Sequence, residues 1–496
     1  MTMHTSLHHR IKKQYLHVEL NGTEAEGLAL QRRLPDLIRH SLMPIIEQVL
    51  ERFSPREGHL FIEKLEIDVG TLMLDQVEHK LAGSVAQALE KSLCGYISPV
   101  KLSATAIPGN IRHTTEQQSI SEVLIYFLKT GCLPWSFRLT DGATLEQVIL
   151  GSWREAEKSG VDPLTGHDEM LRTLADAIVR KRLVRQFSPV LLETLVSLLS
   201  SEGRSVMANV LQIIRSSAIP SVDRKYFERV LWETVFAKLA EGHALTSTEL
   251  IREAWRVIPV TATGYAELAR VLKLHWPDAT RRTPPRRSGL DKTSIAGGHT
   301  EAEEEIYFES VVENLPGPDK KSVIRSAHPD AEEGLYIENA GLVLLHPFLP
   351  QFFTGLGIAG EDKLLQPERA LCLLHFLATG QIIAPEHDLI LPKILCNVPL
   401  EMPVESDVAL TLVEQEEAAA LLAAVIRHWD ALRNTSADGL RGAFLLRPGK
   451  VSLRGADWLL IVESRGFDVL LDRLPWAISM IKLPWMERML WVEWKY

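Results

Sequence analysis

Apolar and polar residues alternate every second position near the start of the chain, a pattern typical of a half-buried strand. Helical spacing follows, and the two patterns then repeat. The four stretches, in this order, are Lys13–Leu20, Leu30–Phe53, Phe61–Val69 and Leu74–Leu89. Pro35 and Pro44 interrupt the first helical stretch, which predicts a kink or two shorter helices. The order predicts an N-terminal β-α-β-α module within residues 1–95.

The middle of the chain has mostly helical spacing of its apolar residues. From Ser119 to Trp276, stretches long enough for helices are separated by Pro or Gly, which predicts a packed helical array over residues 96–277. Residues 278–334 are rich in Arg, Glu, Pro and Gly, so they have too few apolar side chains to order themselves. We therefore predict a flexible linker, with Ile306–Val312 as a short docked strand or helix inside it.

Strand and helix signals are mixed in residues 335–496, which predicts a C-terminal α+β domain. Gln366-Pro367-Glu368 is typical of a helix start, and Thr379-Gly380 of its end. A second helix is predicted over Ala418–Leu432. Short apolar runs predict two hairpins, Phe444–Leu446 with Val451–Leu453 and Trp458–Val462 with Phe467–Leu471. The predicted fold class is α+β and predominantly helical.

Composition excludes several classes of function. The chain has 496 residues and a formal net charge of −10, which gives no general affinity for nucleic acid. Its four cysteines are scattered, as expected in a reducing cytosol and not in a disulfide scaffold. The basic N-terminus is followed by no apolar run, so we predict no secretory signal. No apolar stretch is long enough to predict a membrane span.

Three motifs could carry chemistry, and each has a structural explanation that we favour. Gly355-Leu356-Gly357-Ile358-Ala359-Gly360 matches the dinucleotide pattern G-x-G-x-x-G, but no strand precedes it, so a turn is predicted. Arg447-Pro448-Gly449-Lys450 lacks the first glycine of a phosphate loop and is interpreted as a hairpin turn. Cys372, His375 and Cys396 are too few for zinc, so we interpret them as core side chains.

Two acidic–histidine clusters and two basic runs complete the candidates. His167-Asp168-Glu169 and Glu386-His387-Asp388 contain acid–base groups, but each is predicted to lie in a loop beside Pro or Gly. The basic runs are Arg180–Arg185 and Arg281–Arg287. They lack interleaved aromatic residues, so we interpret them as solvated faces or as contacts for an acidic protein partner. We predict no cofactor, no metal and no catalytic residue, although an enzyme that uses these glycines or acidic–histidine loops remains an alternative.

Tryptophans are concentrated at the C-terminal end, where five of the eleven follow Ala456. Apolar residues cover nearly every side of a helix drawn over Leu483–Trp494, and such a helix must be buried. It could be buried in its own domain or against another subunit, because Trp and Met are enriched at interface cores. The candidate partner-binding residues are Trp476, Trp485, Met486, Trp491 and Trp494.

Four segments carry a resemblance to a known family. They are HHRIKKQYLHVELNGTEAEGLALQRRL, HLFIEKLEIDVGTL, YIENAGLVLLHPFLPQFF and RLPWAISMIKLPWMERMLWVEW. With these segments the chain resembles the contractile injection system tape measure family of bacterial phage-tail-like particles. The resemblance implies a non-enzymatic assembly protein that sets tube and sheath length.

The resemblance also implies partners and a location. The partners would be other particle proteins, namely inner tube, baseplate or terminator, and not nucleic acid. The resemblance is compatible with a monomer or an oligomer. The location would be the bacterial cytoplasm during assembly, or the inside of the assembled particle. A fully helical chain would span roughly 740 Å, but the frequent prolines and globular ends do not predict such a rod. A baseplate or scaffold component or a cargo-loading adaptor is therefore the alternative role.

Overall fold

A computed structural model describes most of the chain. The described residues are 11, 14–54, 59–97, 111–114, 116–140, 142–243, 245–258, 265–280, 334–406, 408–432 and 434–495. They form two compact units, Met1–Glu122 with Gln147–Thr165, and Val123–Glu146 with Gly166–Tyr496. None of the helices in these ranges has both the length and the apolar character needed to cross a bilayer.

The first unit begins with a helical segment that folds onto a later helix. Helix α1 (Glu24–Leu37) continues through a π-helical turn into α2 (Met43–Phe53), and a 3₁₀ turn leads into α3 (Val77–Ile97). A capping box between Thr23 and Glu26 satisfies N–H groups at the start of α1. The small core comes from one face of α2 and its preceding turn and one face of α3: Leu42, Ile46, Val49, Leu81, Val85, Leu89 and Leu93.

Strands of this unit differ from the prediction. Residues 14–20 form no strand, and Tyr15, Leu16 and Val18 are exposed, so the alternation there was not a sign of half burial. The second predicted strand is confirmed only at its start, as β1 (His59–Ile62). Its antiparallel partner is β2 (Ile111–Thr114), which lies within the region predicted to be helical. Alternation alone cannot show whether a pairing partner exists.

Nine α-helices follow in the described residues between 116 and 275. They are α4 (Glu116–Thr130), α5 (Leu145–Lys158), α6 (His167–Leu174), α7 (Ala177–Gln186), α8 (Pro189–Leu199), α9 (Ser201–Ser216), α10 (Ser221–Ala240), α11 (Ser247–Val257) and α12 (Ala266–His275). Side chains of Asp176, Ser200 and Thr246 cap α7, α9 and α11. The predicted helical character of this region is confirmed.

The last part of the second unit combines helices with a sheet. Its elements are β3 (Leu335–Ile337), α13 (Leu349–Gly355), α14 (Pro367–Thr379), α15 (Ile390–Leu395), α16 (Leu412–His428), α17 (Ala437–Leu440), β4 (Gly449–Arg454), β5 (Asp457–Val462), β6 (Met480–Ile481) and β7 (Leu490–Trp494). The strand order in the sheet is β3-β4-β5-β7-β6, and β7 runs parallel to β5. The predicted α+β, predominantly helical class is confirmed.

The predicted hairpins and the C-terminal helix are wrong, whereas the helix predicted to start at Pro367 is confirmed. Leu446 lies outside any strand, and the hairpin is β4 with β5, which turns at Gly455. Asp468–Arg473 is a 3₁₀ helix, so the second hairpin does not form. Leu483–Trp494 ends in strand β7 and not in a helix. Residues 281–333, with the Arg281–Arg287 cluster and Ile306–Val312, lie outside the described residues, so the domain boundaries stay predictions.

Candidate interaction site

The five candidate partner-binding residues have different environments. Trp485, Met486 and Trp494 are buried, with 5–7% of their surface exposed. Trp476 is half-buried, and Trp491 is 37% exposed. The C-terminal residues are therefore part of the folded structure. Of these five residues, Trp491 is the one with a large exposed surface.

Two of these tryptophans are held by hydrogen bonds inside the C-terminal core. The indole Nε1 of Trp485 donates to the Leu395 carbonyl at 2.8 Å, and that of Trp476 donates to the Leu344 carbonyl at 3.1 Å. The Trp476 ring also packs edge-on against Phe348 at 5.2 Å between centroids. Buried indoles with satisfied N–H groups are typical of core residues.

Trp494, the other buried tryptophan, completes an ionic cluster. Trp494 donates from Nε1 to Asp468 Oδ2 at 3.0 Å. Arg447 Nη2 forms a salt bridge to both oxygens of the same carboxylate. The Arg447 guanidinium also lies over the rings of Phe467 and Trp494, at 5.1 and 5.4 Å. Burial lowers the pKa of Arg447, and Asp468 opposes that shift. The cluster fixes the end of β7 against the rest of the domain.

The outward side of the five-stranded sheet carries Lys450 and Ser452 of β4 and Glu493 of β7. Alternation along the strands places five apolar residues on the same side: one of β3, two of β5, one of β6 and one of β7. We name these residues the outer sheet face: Tyr336, Leu459, Ile461, Met480 and Trp491. Strand register puts Leu459 opposite Trp491, and Trp491 opposite Met480. All except Leu459 are between 37% and 51% exposed.

Charged side chains orient the aromatic rings of the outer sheet face. Trp491 Nε1 donates to Asp457 Oδ2 at 3.2 Å, and Arg454 lies 5.9 Å from the Trp491 ring centroid. The hydrogen bond from Trp491 lowers the pKa of Asp457. Lys450 Nζ lies 5.7 Å from the Tyr336 ring centroid. Aromatic residues surrounded by polar groups are characteristic of protein–protein interfaces.

One candidate nucleotide motif contributes to a turn, and the other contributes to a strand. Gly355 is the last residue of α13, and Gly357 has a φ of +68° in the turn that follows. The dinucleotide motif requires a strand before its glycines and a helix after them, so this arrangement cannot hold a pyrophosphate in the expected way. The interpretation of Arg447-Pro448-Gly449-Lys450 as a hairpin turn is wrong, because Gly449 and Lys450 are the first residues of β4. Arg447 is fully buried and pairs with Asp468.

The candidate core cysteines are buried, and the two acidic–histidine clusters have different environments. Cys372 and Cys396 are buried, and burial raises the pKa of Cys372 to about 12. No group of three metal-ligating side chains with suitable geometry occurs within the described ranges. Glu386 is fully buried between Arg182 and Lys393, so its carboxylate is not available as a general base. His167-Asp168-Glu169 forms the first turn of α6 and not a loop.

The basic run of α7 is largely an internal structure and not the solvated face that was expected. Arg182 is completely buried against Glu386, and Arg185 contacts Glu368 at 3.0 Å. Arg180 donates to the carbonyls of Leu174 and Ala175, at the end of the preceding helix. No local pattern predicts the Arg182–Glu386 pair, because its members are 204 positions apart.

Comparison with known proteins gives one match. Residues 8–494 match the family model described as contractile injection system tape measure protein. No curated protein and no solved structure shows significant similarity to the chain. The match covers both compact units and the whole outer sheet face.

Proposed function

The chain belongs to the contractile injection system tape measure family, and on that basis we propose that it sets the length of the particle's tube and sheath. Membership of this family supports a structural role in assembly, without enzymatic activity. The observation that carries the proposal is the extent of the match, which begins at residue 8 and ends at residue 494. We expect the protein to act in the cytoplasm during assembly and to be enclosed in the particle.

Length control is tested by lengthening the chain at two positions. A helix-forming segment inserted within residues 281–333 lengthens the chain between the two ends of the matched span. The increase is about 1.5 Å for each inserted residue that is helical. Adding the same segment before residue 8 leaves the matched span unchanged and is the control. Electron microscopy of purified particles should show longer tubes with the first variant alone. Intact particles of unchanged length in both variants would reject length control.

We further propose that the outer sheet face binds another protein of the particle: inner tube, baseplate or terminator. Its exposed aromatic and aliphatic residues, and the surrounding Arg454 and Asp457, support this assignment. The double change Tyr336→Ser with Met480→Ser removes apolar contact area from the solvent side of the sheet. Co-purification with the partner should fall at least tenfold, because hot-spot residues contribute about 2 kcal/mol or more each.

A matched control is Leu274→Ser on α12, whose side chain is 75% exposed and lies elsewhere on the second unit. Both variants should keep the wild-type melting temperature. Equal loss of binding in both would assign the effect to general surface apolarity and contradict the proposed surface. Recovery of the chain with baseplate or cargo but never with tubes would favour the scaffold or adaptor role.

A further inference from the structure

The apolar core of the C-terminal part is almost self-contained. Its buried members lie between Leu335 and Trp494, with one exception among the described residues: Cys132, just after α4. Tyr126 on α4 is partly buried against the same cluster. Apolar packing therefore contributes little where this core meets helix α7.

Polar groups fill the contact between α7 and residues 385–406, which we call the polar seam. At its centre, Glu386 accepts from Arg182 Nε at 3.0 Å and from Lys393 Nζ at 2.6 Å. These three side chains are 0–2% exposed. Two cations thus share one carboxylate in a site without access to water.

Backbone carbonyls satisfy the remaining donors of the two cations. Lys393 Nζ donates to Leu400 and Met402 at 2.8 and 2.7 Å, which with Glu386 uses all three of its N–H groups. The second and third nitrogens of Arg182 donate to the carbonyls of Leu128 and Glu401. Burial lowers the pKa of Lys393, whereas Glu386 opposes that shift. Three acceptors at hydrogen-bonding distance indicate the charged ammonium form.

Further polar contacts extend the seam on both sides of this centre. Gln186 accepts from the Glu386 N–H and donates to the Val404 carbonyl, both at 2.8 Å. Arg185 donates to the Pro403 carbonyl at 3.1 Å, and Arg229 on α10 pairs with Glu405 at 2.8 Å. Each of these groups would be solvated again if the two sides separated.

We propose that the polar seam is a latch at which the second unit opens, so that helix α7 and its neighbours separate from residues 334–495. Burial removes the hydration of a charged group, which costs free energy, and separation of the two sides restores that hydration. Separation of an apolar core gains no favourable hydration free energy, because exposed apolar surface is unfavourable in water. The seam is therefore the contact that opens first, while the C-terminal core stays folded. This inference rests on the contacts of the seam and not on the proposed function.

Native cysteines provide the readout. Cys132 is 3% exposed, and a Cβ added to the neighbouring Gly131 would lie 2.6 Å from Glu386 Oε1, which places this loop at the seam. Cys372 lies inside the C-terminal core, and Cys94 is exposed and reports the intrinsic labelling rate. In the full-length protein, a maleimide should label Cys132 in urea concentrations at which Cys372 stays protected. Simultaneous labelling of both would overturn the latch.

Substitutions at the centre of the seam test the mechanism. Glu386→Gln leaves two buried cations without a carboxylate, and loss of one partner of a buried ion pair is strongly destabilising. Labelling of Cys132 should accelerate roughly 100-fold or more, with much less change at Cys372. Glu228→Gln is the matched control, because it removes a bidentate partner of Arg215 away from the seam. A similar acceleration in both variants would contradict the proposal.

A second variant covers the case in which Glu386→Gln does not fold. Replacement of the triad by apolar residues, Arg182→Met with Glu386→Leu and Lys393→Met, removes the hydration gained on opening. Such replacements are often neutral or stabilising, so Cys132 should be labelled more slowly than in the wild type. Labelling at the wild-type rate or faster would show that the charges do not govern opening.

Discussion

The indole Nε1 of Trp494 donates a hydrogen bond of 3.0 Å to Asp468, 26 residues earlier in the chain. This contact connects the last strand to the 3₁₀ turn that starts at Asp468, and the same carboxylate pairs with Arg447. The C-terminal residues of the chain are therefore part of the fold that supports the outer sheet face.

Trp494→Phe removes this N–H group while keeping an aromatic ring. Because Asp468 is fully buried, loss of one donor should lower the free energy of unfolding by about 1–3 kcal/mol. Trp491→Phe is the control, since its hydrogen bond to Asp457 is exposed to solvent and the change should be within about 0.5 kcal/mol. Urea denaturation followed by near-ultraviolet circular dichroism measures both. Equal losses of unfolding free energy in the two variants would show that the hydrogen bond to Asp468 does not stabilise the fold more than the exposed one.

Deletion of residues 490–496 removes β7, which lies between β5 and β6 in the sheet. The deletion leaves β6 without a partner strand and β5 with β4 alone, so we expect the C-terminal part to lose cooperative unfolding. Limited proteolysis should then cut within residues 334–489, whereas the wild type resists cleavage there. Deletion of residues 495–496 leaves β7 whole and is the control. A protease-resistant core in the longer deletion would contradict the structural role of β7.

Gly341 lies against the backbone of another segment. A Cβ at this position would be 1.7 Å from the Phe444 carbonyl oxygen and 2.7 Å from its carbon. Gly341→Ala should therefore destabilise the protein by roughly 3 kcal/mol, because backbone must move. Gly355→Ala meets no atom within 4 Å and should be neutral or stabilising by about 0.4–1 kcal/mol. Melting temperatures that fall equally would disprove the close approach at Gly341.

The capping box at the start of α16 should make stability depend on pH. Burial alone would raise the pKa of Glu414, but hydrogen bonds from Arg369 and Thr411 outweigh it and hold the pKa below its usual 4.5. A carboxylate with a lowered pKa in the folded state contributes stability above the unfolded pKa, and this contribution is lost as the pH falls through the folded pKa. The stability difference between wild type and Glu414→Gln should therefore be largest at neutral pH and shrink below pH 4.5.

Thr411→Ala tests the other half of the same capping box. The Thr411 hydroxyl accepts from the Glu414 N–H at 3.3 Å, and loss of such a cap costs about 1 kcal/mol. Thr194→Ala on α8 is a control, because its exposed hydroxyl bonds only to the Val190 carbonyl one turn earlier. Urea denaturation should show a loss for Thr411→Ala and little change for Thr194→Ala. The opposite order would contradict the cap assignment.

Local signals in the sequence predicted helices better than strands. The Pro367 start and Gly380 end of α14 were recognisable because they depend on φ angles and terminal hydrogen bonds within a few residues. The strands were misassigned because a strand is stable only with a partner. Phe467–Leu471 has strand-like composition but forms no ladder, and β5 pairs instead with β7, about 30 residues later.

The candidate interaction site shows the same division. Concentration of tryptophan marked the C-terminal end, but burial separated Trp485 and Trp494 from Trp491. No property of the sequence around α7 indicated that Arg182 would meet Glu386 and Lys393 inside the protein. Basic residues at helical spacing have the same pattern whether they are solvated or paired with a distant acid.

By itself, the sequence determined the predominantly helical α+β class, the start and end of α14, and the family to which the chain belongs. These properties depend on interactions within a few residues or on the order of residues along the chain. Tertiary structure decided which strands pair, which tryptophan remains exposed, and where the buried charges meet. Those outcomes depend on contacts between residues up to about 200 positions apart, whose free energy appears only when the chain has brought them together.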